Sequence, residues 1–400
     1  MSDGPCVKLH SGAKPLRIFH AYKIYRPDIE GGIPAVISCL AQDGNTSHSI
    51  LAARRFGWGQ RYSIDDAPVE AVASLGNLFS TPVAPFYIPA FWRGARSADV
   101  VIHHAPFPLT DAAIVLGLPA SVALIVYWHA DVLGYPSLRR IVSPLTRRVL
   151  ARADKIVVSG QPMIDGSDIL APHAAKCVIL PYGIDLSYWR TLSPAERASI
   201  QEMRQRHPRH IAAVGRLVGY KGFDVLVRAM RGVDAQATIV GEGPLLADLQ
   251  QLAKELGVSD RIRFAGRVDR SEIKTILHSA QVLAFPSVTE AEAFGIAQIE
   301  AMAAGLPIVN TQLPTTVPLV ARHDKEALTV PPNDPLALSQ ALNHLLSEPA
   351  LAARLGAAAR ERANSEFDED IFRDRMTTIY RDAVRAREEA KWSAAKTPHQ

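Results

Sequence analysis

The chain has 400 residues, 48% of them hydrophobic and 21% charged, which suits two domains with cores of their own and excludes a disordered or fibrous protein. A formal net charge of +4 is too small to imply nucleic acid as a partner. Cys6, Cys39 and Cys177 are odd in number and share no metal-ligand spacing, so neither a disulfide framework nor a metal site is expected, and a reducing compartment is the simplest account.

At the start, Lys8, His10 and Lys14 interrupt any apolar signal segment. Residues 16–20 read as a strand, and a loop ending in Glu30-Gly31-Gly32 leads to a helix from Ile33, with Pro34 tolerated in its first turn. Gly31 and Gly32 at this junction either let backbone approach an anion closely or make a plain tight turn. Strands are expected near 50–52, 83–88 and 100–103, alternating with helices such as 111–116, the pattern of a doubly wound parallel sheet. The uncharged run 112–128 approaches the length of a membrane span, but Gly117-Leu118-Pro119 divides it into a helix end, a turn and the buried strand 122–128. No transmembrane helix is expected.

His129 follows that strand directly. Ligands of such sheets sit just past strand C-termini, so His129 is a candidate catalytic side chain; a histidine satisfied by nearby backbone is the plain alternative. His103 and His104 also follow an expected strand and are candidates on the acceptor side. Ser143-Pro144 reads as the N-cap and first position of a helix to about Arg152. Arg139, Arg140, Arg147, Arg148 and Arg152 crowd this stretch, either as a solvated face or as a patch for anionic lipid headgroups. Strands at 156–159 and 178–180 precede Pro181-Tyr182-Gly183-Ile184-Asp185, and the polar, helical stretch 187–208 is a hinge region.

The alternation restarts at strand 211–214, followed by Gly215-Arg216-Leu217-Val218-Gly219-Tyr220-Lys221-Gly222 and an amphipathic helix. One Arg and one Lys just past a strand suit a diphosphate: arginine grips two oxygens at once, and lysine supplies a mobile point charge. Strand 238–240 ends in Gly241-Glu242-Gly243-Pro244, a helix start and not a dinucleotide loop, and strand 262–265 ends at Gly266-Arg267-Val268. Then comes FPSVTEAEAFGIAQIEAMAAGLPIVN, 285–310: a strand end stopped by Pro286, a polar loop, a helical stretch from Phe294 to Ala304, and Gly305-Leu306-Pro307 as its stop. Free N–H groups at that helix start attract a diphosphate. Glu292 in the loop can accept from sugar hydroxyls, and Glu300 in the second helical turn can grip a ribose diol. Residues 335–388 read as helical, with 367–384 the last helix and 389–400 a frayed tail. No Asp-x-Asp adjoins a strand end, so neither a metal nor a cofactor is expected.

The E-x7-E of Glu292 and Glu300 with Phe294-Gly295 inside it, the G-R-x4-K-G of 215–222 and the P-Y-G-I-D of 181–185 resemble the family 4 retaining glycosyltransferases, over about residues 16–385. The resemblance implies an α/β GT-B fold, two doubly wound Rossmann-like domains facing each other across a cleft. Residues 1–190 are then an acceptor domain, 191–366 a nucleotide-sugar donor domain, and 367–388 a helix crossing back onto the first. It also implies His129 and Glu292 at the donor sugar, Arg216 and Lys221 at the diphosphate with Gly31 and Gly32 nearby, Val268 at the base, Ala293, Phe294 and Gly295 against the nucleotide sugar, and Glu300 at the ribose. The text is most like the branch using GDP-mannose-type donors in bacterial polysaccharide synthesis, though Ala291 stands where that branch often has Ser and Ala293 where the wider family has Gly. The implied activity is retaining, metal-independent transfer of a mannosyl- or rhamnosyl-type hexose to a saccharide or lipid-linked saccharide. The implied location is cytoplasmic, peripheral on the inner face of the cytoplasmic membrane. A nucleotide-sugar 2-epimerase of the same fold and a non-catalytic nucleotide-sugar-binding protein are the alternatives.

Overall fold

Short apolar runs alternating with amphipathic stretches fold as strand–helix units. The computed structural model describes residues 15–78, 81–129 and 136–396, the side chains of 136–142 and 393–396 excepted. One compact unit holds the described residues up to Tyr127, those of Leu138–Ile156 and those from Thr377 onward; the other holds those of Trp128–Ser137 and Val157–Met376. The strands are β1 (Leu16–Ile24), β2 (Thr46–Ala53), β3 (Gln60–Ile64), β4 (Ala67–Val72), β5 (Asn77–Leu78), β6 (Thr81–Pro82), β7 (Val100–Ala105), β8 (Ala123–Trp128), β9 (Lys155–Val158), β10 (Cys177–Ile179), β11 (His210–Val214), β12 (Gln236–Val240), β13 (Ile262–Gly266), β14 (Val282–Ala284), β15 (Ile308–Thr311) and β16 (Ala327–Val330).

An eight-stranded sheet has the order β10-β9-β8-β7-β1-β2-β4-β3, with β1 parallel to both β2 and β7 and β3 antiparallel to β4 at the edge. Chain order runs outward from β1 and restarts at β7 in the other direction, so the sheet reverses between those strands, where ligands of such sheets bind. Gly31 and the helix Gly32–Ala41 follow β1 at that reversal.

The second sheet, β13-β12-β11-β14-β15-β16, is parallel throughout. It reverses between β11 and β14, so the loops leaving these neighbours emerge side by side. Ile211, Ile239 and Val282 from its strands pack with Leu226 of the helix Phe223–Ala229 and Leu342 of the helix Pro335–Ser347. Each such side chain taken from water contributes about 1.5–3 kcal/mol, which holds the loop-bearing strand ends rigidly in place.

Three expectations are corrected here, and one element is new. Residues 83–88 do not form a strand: β6 stops at Pro82, Pro85 has no ladder donor, and the helix Tyr87–Ala95 buries Tyr87, Ala90, Phe91 and Ala95 at helical spacing. A hairpin was not anticipated; β3 and β4 join through Asp65 and Asp66 at φ 52° and 62°, a two-residue turn in which aspartates take the place of the usual glycine. Ser143-Pro144 does not begin a helix; one runs over Pro136–Arg152 with Pro144 inside it, and the Ser143 hydroxyl accepts from Arg147 Nε at 3.3 Å. The tail from 389 is not frayed as far as it is described, because the helix Glu369–Lys396 continues. That helix begins in the second unit and ends in the first, where Thr377 donates to Asp43 at 2.8 Å and Arg387 meets Asp154 at 3.2 Å.

Candidate active site

β11 ends at Val214, and its loop closes through the single turn Gly219–Lys221. Gly222 follows at φ 64°, and a Cβ there would lie 2.0 Å from the Pro286 carbonyl oxygen, so only glycine fits. The close approach pins this loop to the one leaving β14, and the Val288 N–H donates to the Tyr220 carbonyl at 2.8 Å. Lys221 Nζ thereby lies 2.5 Å from Glu292 Oε2, and both side chains are largely buried. Ser287 donates its hydroxyl to the same carboxylate oxygen at 3.0 Å. The Lys221 ammonium also faces the rings of Tyr220 and Phe285, at 5.5 and 5.2 Å.

Past Glu292, the Ala293 carbonyl accepts from the Thr316 N–H at 3.1 Å and Phe294 is buried. Gly295, at φ 87°, opens the helix Ile296–Ala304; a Cβ there would press into the Phe285 ring. No side chain caps that helix start, which leaves its first N–H groups for an anion. Glu300 is half-buried in the same helix. Burial pushes its carboxyl up to about 7, against the pull of the Arg270 and Lys221 cations. Arg270 stacks on Tyr188 at 4.4 Å, and neither its position nor that of Ser287 was anticipated from sequence. Arg216 is exposed and has no ion-pair partner among the described residues, and Val268 is half-buried just past β13.

His129 follows β8 and is buried. Its Nδ1 lies 2.8 Å from the Tyr182 hydroxyl, with the two rings stacked at 14°. Tyr182 packs edge-on against Phe294 at 4.8 Å between centroids. A chain of rings therefore joins His129 to the Glu292 loop, and the second unit brings His129, Lys221, Glu292, Phe294 and Gly295 together. Tyr182 was in view inside P-Y-G-I-D; only the tertiary contact reveals what it does there. Gly31 and Gly32 belong to the first unit.

His103 and His104 do not follow a strand; they lie inside β7 and are buried. His103 Nε2 meets Asp111 at 2.7 Å, and His104 Nε2 meets His20 Nδ1 at 3.0 Å. Burial holds His20 well below its ordinary value and His48, 2.9 Å from it, at about 4. His20 and His48 are therefore neutral, and His103 and His104 are buried core histidines with side-chain partners inside the sheet.

Residues 196–362 match the family model for Glycosyl transferases group 1. Over 76% of this chain and 79% of the relative, the sequence is 32% identical to a GDP-mannose-dependent alpha-(1-6)-phosphatidylinositol monomannoside mannosyltransferase of Mycobacterium tuberculosis. The chain belongs to the glycosyl transferases group 1. Similar group 1 relatives include the D-rhamnosyltransferase WbpZ of Pseudomonas aeruginosa, 29% identical over 88% of this chain and 92% of the relative. The O-antigen chain mannosyltransferase C of Escherichia coli is 28% identical over 91% of this chain and 98% of the relative. Among solved structures, Anabaena HepE in complex with UDP superposes with a TM-score of 0.74 at 17% identity, covering 91% of this chain and 99% of its own. WaaG, a glycosyltransferase involved in lipopolysaccharide biosynthesis, gives 0.67 at 18% identity over 91% and 99%. The group 1 glycosyltransferase thus has the α/β GT-B fold in two domains.

Among the described residues of this glycosyltransferase, no helix is long and apolar enough to cross a membrane. Of the five arginines singled out for lipid headgroups, Arg147 and Arg148 are exposed, and the side chains of Arg139 and Arg140 lie outside the described residues. Arg152 is not a surface charge in reserve: it donates to the Val122 carbonyl at 2.7 Å and meets Asp154 at 3.3 Å.

Proposed function

We propose that this glycosyltransferase is a retaining, metal-independent enzyme of family 4 that moves a mannosyl- or rhamnosyl-type hexose from a GDP-linked donor to a saccharide or lipid-linked saccharide in surface polysaccharide synthesis. The reading rests chiefly on the Lys221–Glu292 pair, 2.5 Å apart at the sheet reversal beside an uncapped helix start. The donor and sugar types are supported by the printed names of the mannosyl- and rhamnosyltransferase relatives.

Within the pair the two charges neutralise each other, and a donor divides them. The Lys221 ammonium turns with Arg216 and the Phe294-Gly295 helix start to the diphosphate, while the Glu292 carboxylate accepts from sugar hydroxyls. As the anomeric C–O bond breaks, negative charge grows on the diphosphate, where these donors act, and positive charge grows on the ring beside Glu292. The departing phosphate takes the proton of the acceptor hydroxyl, which attacks from the same face and keeps the anomeric configuration. His129 lies against the sugar, Ala293 and Phe294 against the nucleotide sugar, Val268 at the base, and Gly31 and Gly32 near the diphosphate. Residues 1–190 bind the acceptor, 191–366 bind the donor, and 367–388 return to the first domain. The enzyme works in the cytoplasm, on the inner face of the cytoplasmic membrane.

Proton NMR of the product from GDP-mannose and a saccharide acceptor tests this. An α-linked mannoside formed only with acceptor present supports it; a β-linkage, or an epimer formed from donor alone, overturns it.

Two variants probe how the site is tuned. Tyr182→Phe removes the hydroxyl at His129 Nδ1 and leaves the ring packing on Phe294 intact. It lowers kcat by about tenfold, with donor KM and melting temperature little changed. A kcat equal to wild type means His129 has no role that its orientation serves.

The second concerns pH. The Glu300 carboxyl is raised from an ordinary 4.5 to about 7, so the folded form holds its proton more tightly than the unfolded chain does, and ionisation removes stability as pH rises through that window. A ribose diol donates to the ionised form, and the diphosphate of a sugar nucleotide does not titrate here. GDP-mannose binding therefore tightens by about tenfold from pH 6 to pH 8. In Glu300→Gln it is weaker and independent of pH, which calorimetry at three pH values reads directly.

A further inference from the structure

Large apolar side chains gather on one rim of the first unit. Trp58 is 88% exposed, Leu75 73%, Phe56 71% and Phe86 66%, with Leu78 and Val83 exposed beside them. Main-chain hydrogen bonds hold their segments together. Gly57 and Ser74 exchange N–H···O bonds of 2.9 and 3.0 Å, Leu75 N–H donates to the Val83 carbonyl at 2.9 Å, and Val83 N–H donates to the Gly76 carbonyl at 2.8 Å. β5 and β6 pair antiparallel within the same rim. So much contiguous apolar surface left in water marks a surface that something covers.

The charge around it indicates what. No acid occurs between Asp43 and Asp65 or between Glu70 and Asp99, and those stretches carry Arg54, Arg55, Arg61, Arg93 and Arg96. Arg54 pairs with Asp28, which also accepts from the Arg55 N–H at 2.8 Å, and Arg61 and Arg93 share Glu70; the exposed Arg55 and Arg96 guanidinium groups make no ion pair among the described residues. Asp65 and Asp66 turn the β3–β4 hairpin at its far end, a strand length of about 17 Å away. Exposed indole and phenyl rings flanked by exposed arginines without ion pairs match the headgroup layer of an anionic bilayer: aromatic rings settle at the interface and guanidinium groups meet lipid phosphates.

We propose that this rim, from Phe56-Gly57-Trp58 to Leu75-Gly76 and Val83–Phe86, docks the protein on an anionic phospholipid surface. It is distinct in sequence from the arginines at 139–152, and it does not depend on the donor chemistry proposed above. Vesicle binding is measured without donor or acceptor, so either reading can fail alone.

The test is co-sedimentation of the full chain with vesicles of phosphatidylcholine alone or mixed with phosphatidylglycerol. Wild type sediments with the mixed vesicles and much less with phosphatidylcholine. Phe56→Ser/Trp58→Ser, on the surface and with an unchanged melting temperature, loses roughly tenfold or more of that binding. Arg55→Glu/Arg96→Glu weakens it as well, and Arg147→Ala/Arg148→Ala leaves it in place. Three results overturn the proposal: no sedimentation of wild type with either vesicle, equal sedimentation of the Phe56/Trp58 variant, or a wild-type dimer in sedimentation velocity that this variant lacks, which would assign the rim to a second copy of the chain.

Discussion

Lys221→Ala lowers kcat at saturating donor by about 10²- to 10³-fold, the loss typical when one preorganised group at a developing anion is removed. Arg216 and the helix start remain, so activity falls without vanishing. The variant also loses stability, because Glu292 is left largely buried with the Ser287 hydroxyl as its remaining side-chain partner among the described residues. Removing one member of such a pair costs up to about 3 kcal/mol. Glu292→Gln is gentler on the fold: the Lys221 ammonium keeps the faces of Tyr220 and Phe285. Combining Lys221→Ala with Glu292→Gln removes the lone charge, so the double variant recovers stability over Lys221→Ala and recovers no rate. A Lys221→Ala enzyme with wild-type kcat removes the ammonium from the mechanism.

Gly222→Ala carries the second large effect, and it falls on stability. A left-handed alanine costs about 1–2 kcal/mol, and its Cβ, 2.0 Å from the Pro286 oxygen and 2.7 Å from Val288 Cγ1, cannot be placed without parting the two loops. Parting them breaks the Val288–Tyr220 hydrogen bond and draws Lys221 away from Glu292. Together these remove about 3 kcal/mol or more, a fall in Tm of the second unit by roughly 6–12 °C. Gly219→Ala in the same loop is the control: its added Cβ meets nothing within 4 Å and leaves Tm near wild type. Equal melting of both variants contradicts the claim that the loops are locked at Gly222.

The parts of this site that were legible in sequence are those set by short-range signals. β11 and β14 are apolar runs ended by Gly215 and Pro286, so Arg216, Lys221 and Glu292 could be placed in loops past strands. That Lys221 and Glu292 meet was not legible as a contact, because it depends on β14 returning to lie beside β11 after β12 and β13 have gone the other way. Tyr182 against His129 is non-local in the same sense. Errors came where a local signal had two readings. Val83 to Ile88 is apolar enough for a strand, and its helical spacing shows only with Phe91 and Ala95 included. Asp65-Asp66 is a hairpin turn without its glycine, and Ser143-Pro144 is a good helix start that falls inside a helix already begun. His103 and His104 were misplaced because β7 extends to Ala105, which turns two strand-end residues into core.

The central claim is that Lys221 serves the diphosphate and Glu292 the sugar of one bound donor. Calorimetric titration of GDP and of GDP-mannose into wild type, Lys221→Ala and Glu292→Gln tests it most directly. The account predicts that Lys221→Ala weakens both ligands by about tenfold or more, while Glu292→Gln weakens GDP-mannose and leaves GDP nearly unchanged. Variants that bind both ligands as wild type does, or a Glu292→Gln that loses GDP as fully as GDP-mannose, contradict it.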